Sequence, residues 1–416
     1  MMPSELKDIQ GQSITESENV LRTEVTSEQK RGVENERLRV LIYSDYFFPS
    51  TGGSENYCLD LATELSRQGH QVGVITATKA DTESDFPFDV YQLSKPLSIK
   101  GLNINFLEIP NILKKFKPDV FHINYQSGGE NFLILLLKML HFPVILTYHA
   151  DHVVPLGRTI DKMQAISTFR LVDKILVQTE RDRNNFLSIG LNPSKLSLFR
   201  FNGIDTSKYR CDNFAERKLE RCRVICVARL DDSHKYKGIG RLIEMAGQEK
   251  DLFSGDLISL ILVGDGNKKV EYEKSVEKAG LKGVNFLGNL SNGDLISEIC
   301  KSSFLILPSI DKAEGFGRVA LEAISCGIPV AVSEFAGTSE IIKKYNSGLV
   351  FNPFSSQGIF SRILTITGDD LKIRTLTENG RQMIQEEKLR LVDTVKHTVE
   401  IYLQALSLRS RSEIKP

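Results

Sequence analysis

The chain is organised around the stretch Ser309–Val330, which reads SIDKAEGFGRVALEAISCGIPV. The apolar run before it predicts a buried strand that stops at Pro308, and the glycines in Gly315–Gly317 open a segment with apolar residues at helical spacing. Gly327 and Pro329 end that helix, and the next apolar strand follows at once. The order of strand, polar loop, helix and strand is typical of an α/β domain.

Two glutamates stand at the mouth of this unit. Glu314 lies just before the predicted helix, and Glu322 lies about two turns further along it. A helix N-terminus with glycines around it favours phosphate, because its backbone N–H groups are free and its dipole is positive there. A carboxylate accepts hydrogen bonds from sugar hydroxyls. An isolated glutamate is more often a loop acid or a solvated helix residue, but the pair suggests a sugar–diphosphate site.

The whole stretch resembles the family 4 type of retaining, nucleotide-sugar-dependent glycosyltransferases. Members of that family carry Glu-Gly-Phe-Gly, then Glu-Ala, then Gly-x-Pro-Val at this spacing, and the resemblance extends from about Arg39 to Leu349. It implies an α/β fold of two doubly wound, Rossmann-like domains that face a central cleft, the GT-B architecture. It also implies that the C-terminal helix crosses back to the N-terminal domain.

The predicted domain boundaries follow from this resemblance and from composition. Residues 1–37 are rich in Glu, Ser, Gln and Lys, which predicts a disordered tail. We expect an acceptor-side domain over 38–206, a nucleotide-sugar-binding domain over 207–386, and a C-terminal helix over 387–416 that frays from Ser407. Charged residues 207–221 are interpreted as the linker that enters the second domain.

Composition excludes several classes of protein. The 416 residues hold 53 Lys and Arg against 53 Asp and Glu, so no overall field demands nucleic acid as a partner. The N-terminus lacks the apolar core of a signal peptide, and the longest apolar run, Phe132–Leu140, is too short to span a bilayer. We therefore expect a cytoplasmic protein that is soluble or peripheral at the inner face of the membrane.

The six cysteines are scattered and show no zinc-binding spacing. Their mostly apolar or helical contexts predict reduced, intracellular thiols. They are Cys58, Cys211, Cys222, Cys226, Cys300 and Cys326.

The N-terminal loop of the first domain is a candidate phosphate-side segment. The strand Arg39–Tyr43, the Gly52-Gly53 loop and the following helix and strand form a βαβ start. A Gly-Gly pair alone more often marks a plain tight turn. The resemblance implies that Gly52 and Gly53 approach the donor phosphates across the cleft, and that Pro49 and Glu55 belong to the same loop.

A histidine follows another strand of the first domain. The strand Val144–Thr147 ends near His149, and ligands of open α/β sheets gather beyond the carboxyl ends of strands. His149 and His152 are three apart without a third ligand, which is poor evidence for a metal. The resemblance implies that His149 lies near the transferred sugar. His122, Asp151 and His152 are weaker candidates for the acceptor side.

Two basic residues open the second domain, after a segment Asn202–Asp205 that resembles the inter-domain hinge of the family. A strand ending at Ala228 leads to Arg229 and then to Lys237. A single surface Arg or Lys is usually only solvated, but the resemblance implies that these two hold the donor diphosphate. Lys235 is a nearby competitor for the role of Lys237. The family usually has glycine where this chain has Ala228.

The resemblance implies further donor-binding residues in the second domain. Gly264 belongs to a loop beside the phosphates, and Leu290 belongs to the segment that contacts the base. Glu322 would bind the ribose. The remaining donor-binding candidates are Gly315, Phe316, Gly317 and Val319. A later Gly-rich segment has Ala336 where a second glycine is often seen.

The chemistry requires positive charge at the leaving diphosphate. Asp231-Asp232 lacks the spacing of an Asp-x-Asp metal loop, so we expect that no metal and no cofactor is needed. Arg229, Lys237 and the helix N-terminus after Gly317 can supply the field at the charge that develops in the transition state. Glu314 would orient the donor sugar, and His149 would face the sugar from the other domain. The family implies retention of configuration, and no nucleophilic carboxylate is assigned.

The predicted function is that of a hexosyltransferase. It would move a sugar from a UDP- or GDP-sugar to a glycan, lipid-linked or small-molecule acceptor, in polysaccharide or glycoconjugate synthesis. The alternatives are a catalytically silent scaffold of the same fold, a nucleotide-sugar epimerase, and a phosphorylase, whose pyridoxal-binding lysine has no supporting context here. The cluster Lys114–Lys117 could contact anionic lipid, although a solvated helix end is the commoner meaning.

Overall fold

The structure is a computed structural model, and it describes residues 37–50, 52–78, 85–94, 98–99, 102–103, 108–125, 130–149, 166–200, 202–211, 221–355 and 358–413. Residues 1–36 of the predicted tail, most of the predicted linker (212–220) and the candidates Asp151 and His152 lie outside these ranges. From Arg39 onward the described residues form one compact unit.

The first half of this unit is built on a parallel sheet in the order β3-β2-β1-β6-β7-β8-β9. Its first strand is central, and the chain winds first to one edge and then to the other. The strands are β1 (Arg39–Ser44), β2 (Gln71–Thr76), β3 (Asp89–Gln92), the short antiparallel pair β4 (Ser98–Ile99) and β5 (Leu102–Asn103) outside the sheet, β6 (Val120–Tyr125), β7 (Val144–Tyr148), β8 (Lys174–Val177) and β9 (Leu196–Leu198). The helices are α1 (Gly53–Arg67), α2 (Ile109–Phe116), α3 (Glu130–Met139) and α4 (Glu180–Ser188).

The second half repeats the architecture, with a parallel sheet in the order β12-β11-β10-β13-β14-β15. Its strands are β10 (Cys222–Val227), β11 (Ile258–Val263), β12 (Val284–Gly288), β13 (Phe304–Leu307), β14 (Val330–Ser333) and β15 (Gly348–Phe351). A 3-10 helix covers Asp232–Lys237, and the α-helices are α5 (Ile239–Gln248), α6 (Lys250–Ser254), α7 (Lys269–Ala279), α8 (Asn292–Cys300), α9 (Arg318–Ser325), α10 (Ser339–Tyr345), α11 (Ile359–Thr367), α12 (Asp370–Glu386) and α13 (Leu391–Glu413).

The strands form where the sequence is continuously apolar. Every residue of β6, β11 and β13 is buried, as expected for parallel strands that are covered by helices on both faces. These runs are short and are bounded by glycine, proline or polar residues, which favours strands over helices. The predicted fold class is confirmed.

The last helix, α13, returns to the first sheet. It packs against α1, and the Tyr402 hydroxyl lies 2.6 Å from Nδ1 of the buried His122 on β6. The predicted crossing is therefore confirmed. The helix α13 continues past Ser407, where the sequence predicts fraying, and ends at Glu413. The Leu, Arg and Glu residues of this last part are good helix formers, which explains the extension.

The prediction that all cysteines are free thiols is also wrong. Cys211 and Cys300 form a disulfide with Cα atoms 5.6 Å apart, although 89 residues separate them in sequence. The disulfide joins the segment that enters the second half to the end of α8. Cys326 lies close by, and the three sulfur atoms are within 4.8 Å of one another. The other four cysteines are free and buried.

The basic cluster at the end of α2 is a solvated helix end. Lys114 and Lys115 are exposed, but Phe116 is only 2% exposed and packs in the core of the first half. The cluster thus has no apolar side chain to insert into lipid. Of the helices within the described ranges, none combines the length and the apolar character that a bilayer span requires.

Candidate active site

A cavity of about 570 Å³ lies between the two sheets, at the carboxyl ends of their strands. Its wall includes all thirteen residues that the sequence analysis assigns to catalysis or donor binding, from both halves of the molecule. These are Gly52, Gly53, His149, Arg229, Lys237, Gly264, Leu290, Glu314, Gly315, Phe316, Gly317, Val319 and Glu322. The weaker candidate His122 is not among the residues that line it.

Lys237 and Glu314 form an ion pair on the wall. The Lys237 Nζ lies 2.8 Å from Glu314 Oε1, and Ser309 donates a 2.7 Å hydrogen bond to Oε2. The backbone N–H of Ile310 donates to Tyr236 at 2.8 Å, which binds the 3-10 helix to the loop after β13. The Glu314 side chain is only 3% exposed, so its carboxylate is held in one place.

Lys235 lies elsewhere. It pairs with Asp232 at 3.0 Å, both side chains are more than half exposed, and neither residue lines the cavity. Of the two lysines, only Lys237 is therefore positioned to contact a ligand in the cavity.

Arg229 is paired across the cleft with an acid of the first half. Its Nη2 lies 3.1 Å from Glu55 Oε1, and Ser54 donates a 2.8 Å hydrogen bond to the other oxygen of Glu55. Glu55 lies in the first turn of α1 and is buried. Arg229, one of the two cations that the sequence assigns to a diphosphate, is thus already paired with a carboxylate of the protein.

The glycine loop before α9 has a constrained backbone. Gly317 has a φ of 76°, and a Cβ there would lie 2.6 Å from Leu307 Cδ2, so a larger residue fits poorly. Two backbone hydrogen bonds also hold the loop in place. The N–H groups of Gly337 and Thr338 donate to the carbonyl oxygens of Gly315 and Phe316 at 2.8 and 3.0 Å. The N-terminus of α9 is consequently held at the cavity wall, where Gly317, Arg318 and Val319 line the cavity.

Arg318 is a cavity residue that the sequence reading missed. It is buried, forms an ion pair with Asp60 of α1, and has Nε 3.4 Å from Glu322 Oε1. Burial raises the pKa of Glu322, and the positive charge of Arg318 acts in the opposite direction. The available signal was a basic residue directly after Gly317, at the first position of a helix, where a cation is unfavourable without an acidic partner.

His149 directly follows β7 and is held by a polar chain. Its Nε2 lies 2.5 Å from Oδ1 of Asn124, whose amide nitrogen donates to Ser44 Oγ at 2.9 Å and to Ser54 O at 3.2 Å. Oδ1 must then accept, so Nε2 of His149 carries the proton. Burial, together with the nearby positive charge of Arg318, lowers the pKa of His149 to about 3, so the ring is neutral.

The weaker candidate His122 is a buried structural residue. It contacts Tyr402 through Nδ1 and Thr147 through Nε2, behind the wall of the cavity. Burial lowers the pKa of His122 to about 3, with a smaller contribution from His149.

Gly264 lies where two backbone segments almost touch. Its φ is 130°, and a Cβ would lie 1.9 Å from the carbonyl oxygen of Ala228. Its N–H donates to Gly288 at 2.8 Å. This close approach brings the loop after β11 beside Arg229, and Leu290 lines the same region of the wall.

Two buried amides on the wall were also missed. Gln178 follows β8 and Asn202 belongs to the segment that crosses to the second half, and both line the cavity. Their side-chain oxygens are buried and have no hydrogen-bond partner among the described residues. The sequence signals nothing here, because Gln after a strand and Asn before Gly are usually solvated or turn residues.

Comparison with known proteins identifies this chain as similar to glycosyltransferases over both halves. Residues 51–208 match a family model described as Glycosyltransferase Family 4, and residues 212–383 match one described as Glycosyl transferases group 1. A glycosyltransferase of Methanocaldococcus jannaschii is 33% identical over 358 residues, which cover 83% of this chain and 93% of the relative. The N-acetyl-alpha-D-glucosaminyl L-malate synthase of Bacillus anthracis is 20% identical over 357 residues, covering 82% of this chain and 91% of the relative.

The solved structures give the same fold. Anabaena HepE in complex with UDP-glucose superposes with a TM-score of 0.71 at 18% identity, over 89% of this chain and 100% of HepE. Sucrose-phosphate synthase from Thermosynechococcus elongatus gives 0.73 at 20% identity, again over 89% and 100%. The protein is therefore an enzyme, a hexosyltransferase, and it belongs to the family 4 type of GT-B glycosyltransferases.

Proposed function

We propose that the protein transfers a hexosyl group from a nucleoside-diphosphate sugar to a hydroxyl acceptor, with retention of configuration and without a metal ion. The supporting observation is that Arg229, Lys237 and the N-terminus of α9 meet around one cavity. A fold neighbour, Anabaena HepE, has been solved with UDP-glucose, which makes UDP-sugars the first donors to test.

In the proposed reaction the bond between C1 of the sugar and the diphosphate oxygen breaks, and a bond from C1 to the acceptor oxygen forms. The acceptor proton passes to the leaving diphosphate. Arg229, Lys237 and the backbone N–H groups of α9 stabilise the charge that develops on the diphosphate. Glu314 orients the sugar hydroxyls and Glu322 the ribose, while neutral His149 faces the sugar from the first half.

The acceptor is proposed to be a glycan, a lipid-linked sugar or a small molecule in polysaccharide or glycoconjugate synthesis. Contact with a membrane through the basic cluster of α2 is not part of this proposal, because Phe116 is buried. A cytoplasmic location is included, and the four free, buried cysteines support it. The disulfide between Cys211 and Cys300 is the observation against it, and peptide mapping of protein alkylated within cells would decide this point.

The test is a thermal-shift screen of UDP-, GDP- and ADP-sugars in EDTA, followed by a transfer assay with the best donor. A ligand that binds only the folded state raises its melting temperature. We expect stabilisation by a nucleotide sugar and transfer that survives EDTA. No stabilisation by any of these donors would favour a catalytically silent scaffold, epimer formation would favour an epimerase, and loss of transfer in EDTA would contradict metal independence.

A further inference from the structure

We infer that Gln178 and Asn202 form a binding site for the hydroxyl groups of a hexose in the cavity. This inference rests on the proposed function and assigns a part of the ligand to two side chains of the first half. The starting observation is that both residues line the cavity while being only 5% and 4% exposed. Oε1 of Gln178 and Oδ1 of Asn202 have no hydrogen-bond partner among the described residues.

An unpaired amide oxygen in such a position is costly. A buried polar atom without a partner destabilises a folded protein by about 1–3 kcal/mol, so native structures contain few of them. Two such atoms on the wall of one cavity indicate that a ligand supplies the missing donors. The preorganised site then binds that ligand without first breaking an internal hydrogen bond.

The backbone holds both amides in place. Gln178 follows Val177, which pairs with Leu198 of β9, and the next residue, Thr179, caps α4 by accepting from the Asp182 N–H at 3.0 Å. Asn202 precedes Ile204, whose N–H donates to Leu389 at 2.8 Å. The backbone next to each amide is therefore held by hydrogen bonds to other parts of the fold.

The chemistry of the missing partner excludes the diphosphate. An ionised diphosphate has only acceptor oxygens, which cannot pair with an amide oxygen. A sugar hydroxyl both donates and accepts, so it can pair with either end of an amide. The cations of the cavity that are assigned to the phosphates, Arg229 and Lys237, belong to the second half.

The position favours the hexose over the nucleotide base. Arg181, three residues after Gln178, donates to the backbone oxygens of Glu314 at 3.5 Å and Phe335 at 3.4 Å. The α4 end of the first half therefore contacts the Glu314 loop, where the sugar is proposed to bind. Leu290, at the proposed base, lies on the loop that follows β12. The hexose can belong to the donor or to the acceptor, and both present the same hydroxyl chemistry.

The experiment measures binding of UDP and UDP-glucose to the full-length chain by calorimetry, and of D-glucose to the UDP-saturated chain. Gln178→Met removes the amide at nearly constant side-chain length, and Asn202→Leu is the second variant. Gln382→Met is the matched control, because the Gln382 amide is exposed and pairs with Glu386.

If the hexose belongs to the donor, we expect Gln178→Met to bind UDP within about twofold of wild type and to bind UDP-glucose about tenfold more weakly. If the hexose is the acceptor's, UDP-glucose affinity stays unchanged and D-glucose binding to the UDP complex weakens about tenfold. The melting temperature of the ligand-free variant should equal or exceed that of wild type, since the variant loses an unpaired buried amide.

Unchanged binding of both UDP-glucose and D-glucose in Gln178→Met and Asn202→Leu would overturn the inference. So would a loss of UDP affinity as large as that of UDP-glucose, or a lower melting temperature of Gln178→Met, since either result indicates a structural role. A wild-type chain that binds neither UDP nor UDP-glucose would contradict the proposed donor as well, and this outcome is recognised without any variant.

Discussion

At the scale of single residues, the cleft cations already have partners within the protein. Lys237 contacts Glu314, and Arg229 contacts Glu55 from the opposite side of the cleft. The two carboxylates differ in whether they would compete with a bound diphosphate for their cation. Glu314 can keep its contact with Lys237 while accepting from a sugar hydroxyl, whereas the Glu55 carboxylate competes with the phosphate for Arg229.

Lys237→Ala should lower kcat/KM by about 100- to 1,000-fold, because it removes one fixed cation from the site of developing charge. We expect Glu314→Ala to lower transfer strongly as well, with the fold retained in both variants. Lys235→Ala is the matched control, since Lys235 is an exposed residue outside the cavity wall. Steady-state transfer kinetics and circular dichroism measure these effects, and near-wild-type turnover of Lys237→Ala would contradict the assignment.

Glu55→Gln should strengthen UDP binding by a few-fold, because Arg229 then no longer shares its charge with a carboxylate. The gain is small since the Arg229 side chain is 40% exposed and its ion pair is screened by solvent. Isothermal calorimetry with UDP measures the change. Glu244→Gln is the control, because Glu244 neutralises Arg241 away from the cavity. Weaker UDP binding by Glu55→Gln would show instead that Glu55 positions the nucleotide.

At the scale of elements, short loops after the strands carry the site. The loops after β10, β11 and β13 place Arg229, Gly264 and Glu314 on one wall, because parallel strands all end at the same edge of a sheet. Glycine is needed where two of these loops touch. The Gly264 position combines a backbone angle that favours glycine with a contact that leaves no space for a side chain.

Gly264→Ala should therefore destabilise the protein by about 3 kcal/mol or more, since both strain and overlap contribute. Gly280→Ala isolates the first effect, because Gly280 has a φ of 65° but no atom of the described residues would lie within 4 Å of a Cβ there. We expect that variant to cost about 1 kcal/mol. Urea unfolding measures both free energies, and equal losses in the two variants would contradict the role of the Ala228 contact.

At the scale of the whole molecule, α13 and the crossing segment hold the two halves together. The contact of Tyr402 with His122 joins the last helix to the centre of the first sheet. Asp60 with Arg318 and Glu55 with Arg229 join α1 to the second half across the cleft. Buried His122 and His149 lie beside these contacts, and protonation of either ring would place an unpaired charge in the interior.

Stability should fall as the pH is lowered from about 6.5 towards 4.5. The pKa of each of the two histidines is lowered to about 3 in the folded state, so only the unfolded chain binds these protons in that range. Each histidine then contributes a slope of about 1.4 kcal/mol per pH unit, and this stabilisation is fully present above the unfolded pKa.

His122→Gln should reduce that slope by about 1.4 kcal/mol per pH unit, whatever its effect on absolute stability. Urea unfolding at a series of pH values measures the slope. His397→Gln, a half-exposed histidine at the surface, is the control variant. An unchanged slope in His122→Gln would mean that His122 is not kept neutral in the folded protein.

The order of strands and helices could be predicted from the sequence, because apolar runs and glycine or proline stops are local signals. The apolar strand predicted directly before Pro308 is β13, and Glu314–Val319 and Glu322 of the Ser309–Val330 stretch lie in the cavity wall. The resemblance favours Lys237 over Lys235, but local sequence signals do not separate the two lysines, since both follow the same strand.

Only the tertiary structure decided which charges and polar groups meet. Glu55 and Arg229 are 174 residues apart, Asp60 and Arg318 are 258 apart, and His122 and Tyr402 are 280 apart. The disulfide and the two unpaired amides of the cavity depend on the same long-range packing. Sequence by itself determined the elements and the donor-site motif, because both depend on residues that are close together along the chain. The folded chain determined the partners, because distance along a chain does not predict distance in space.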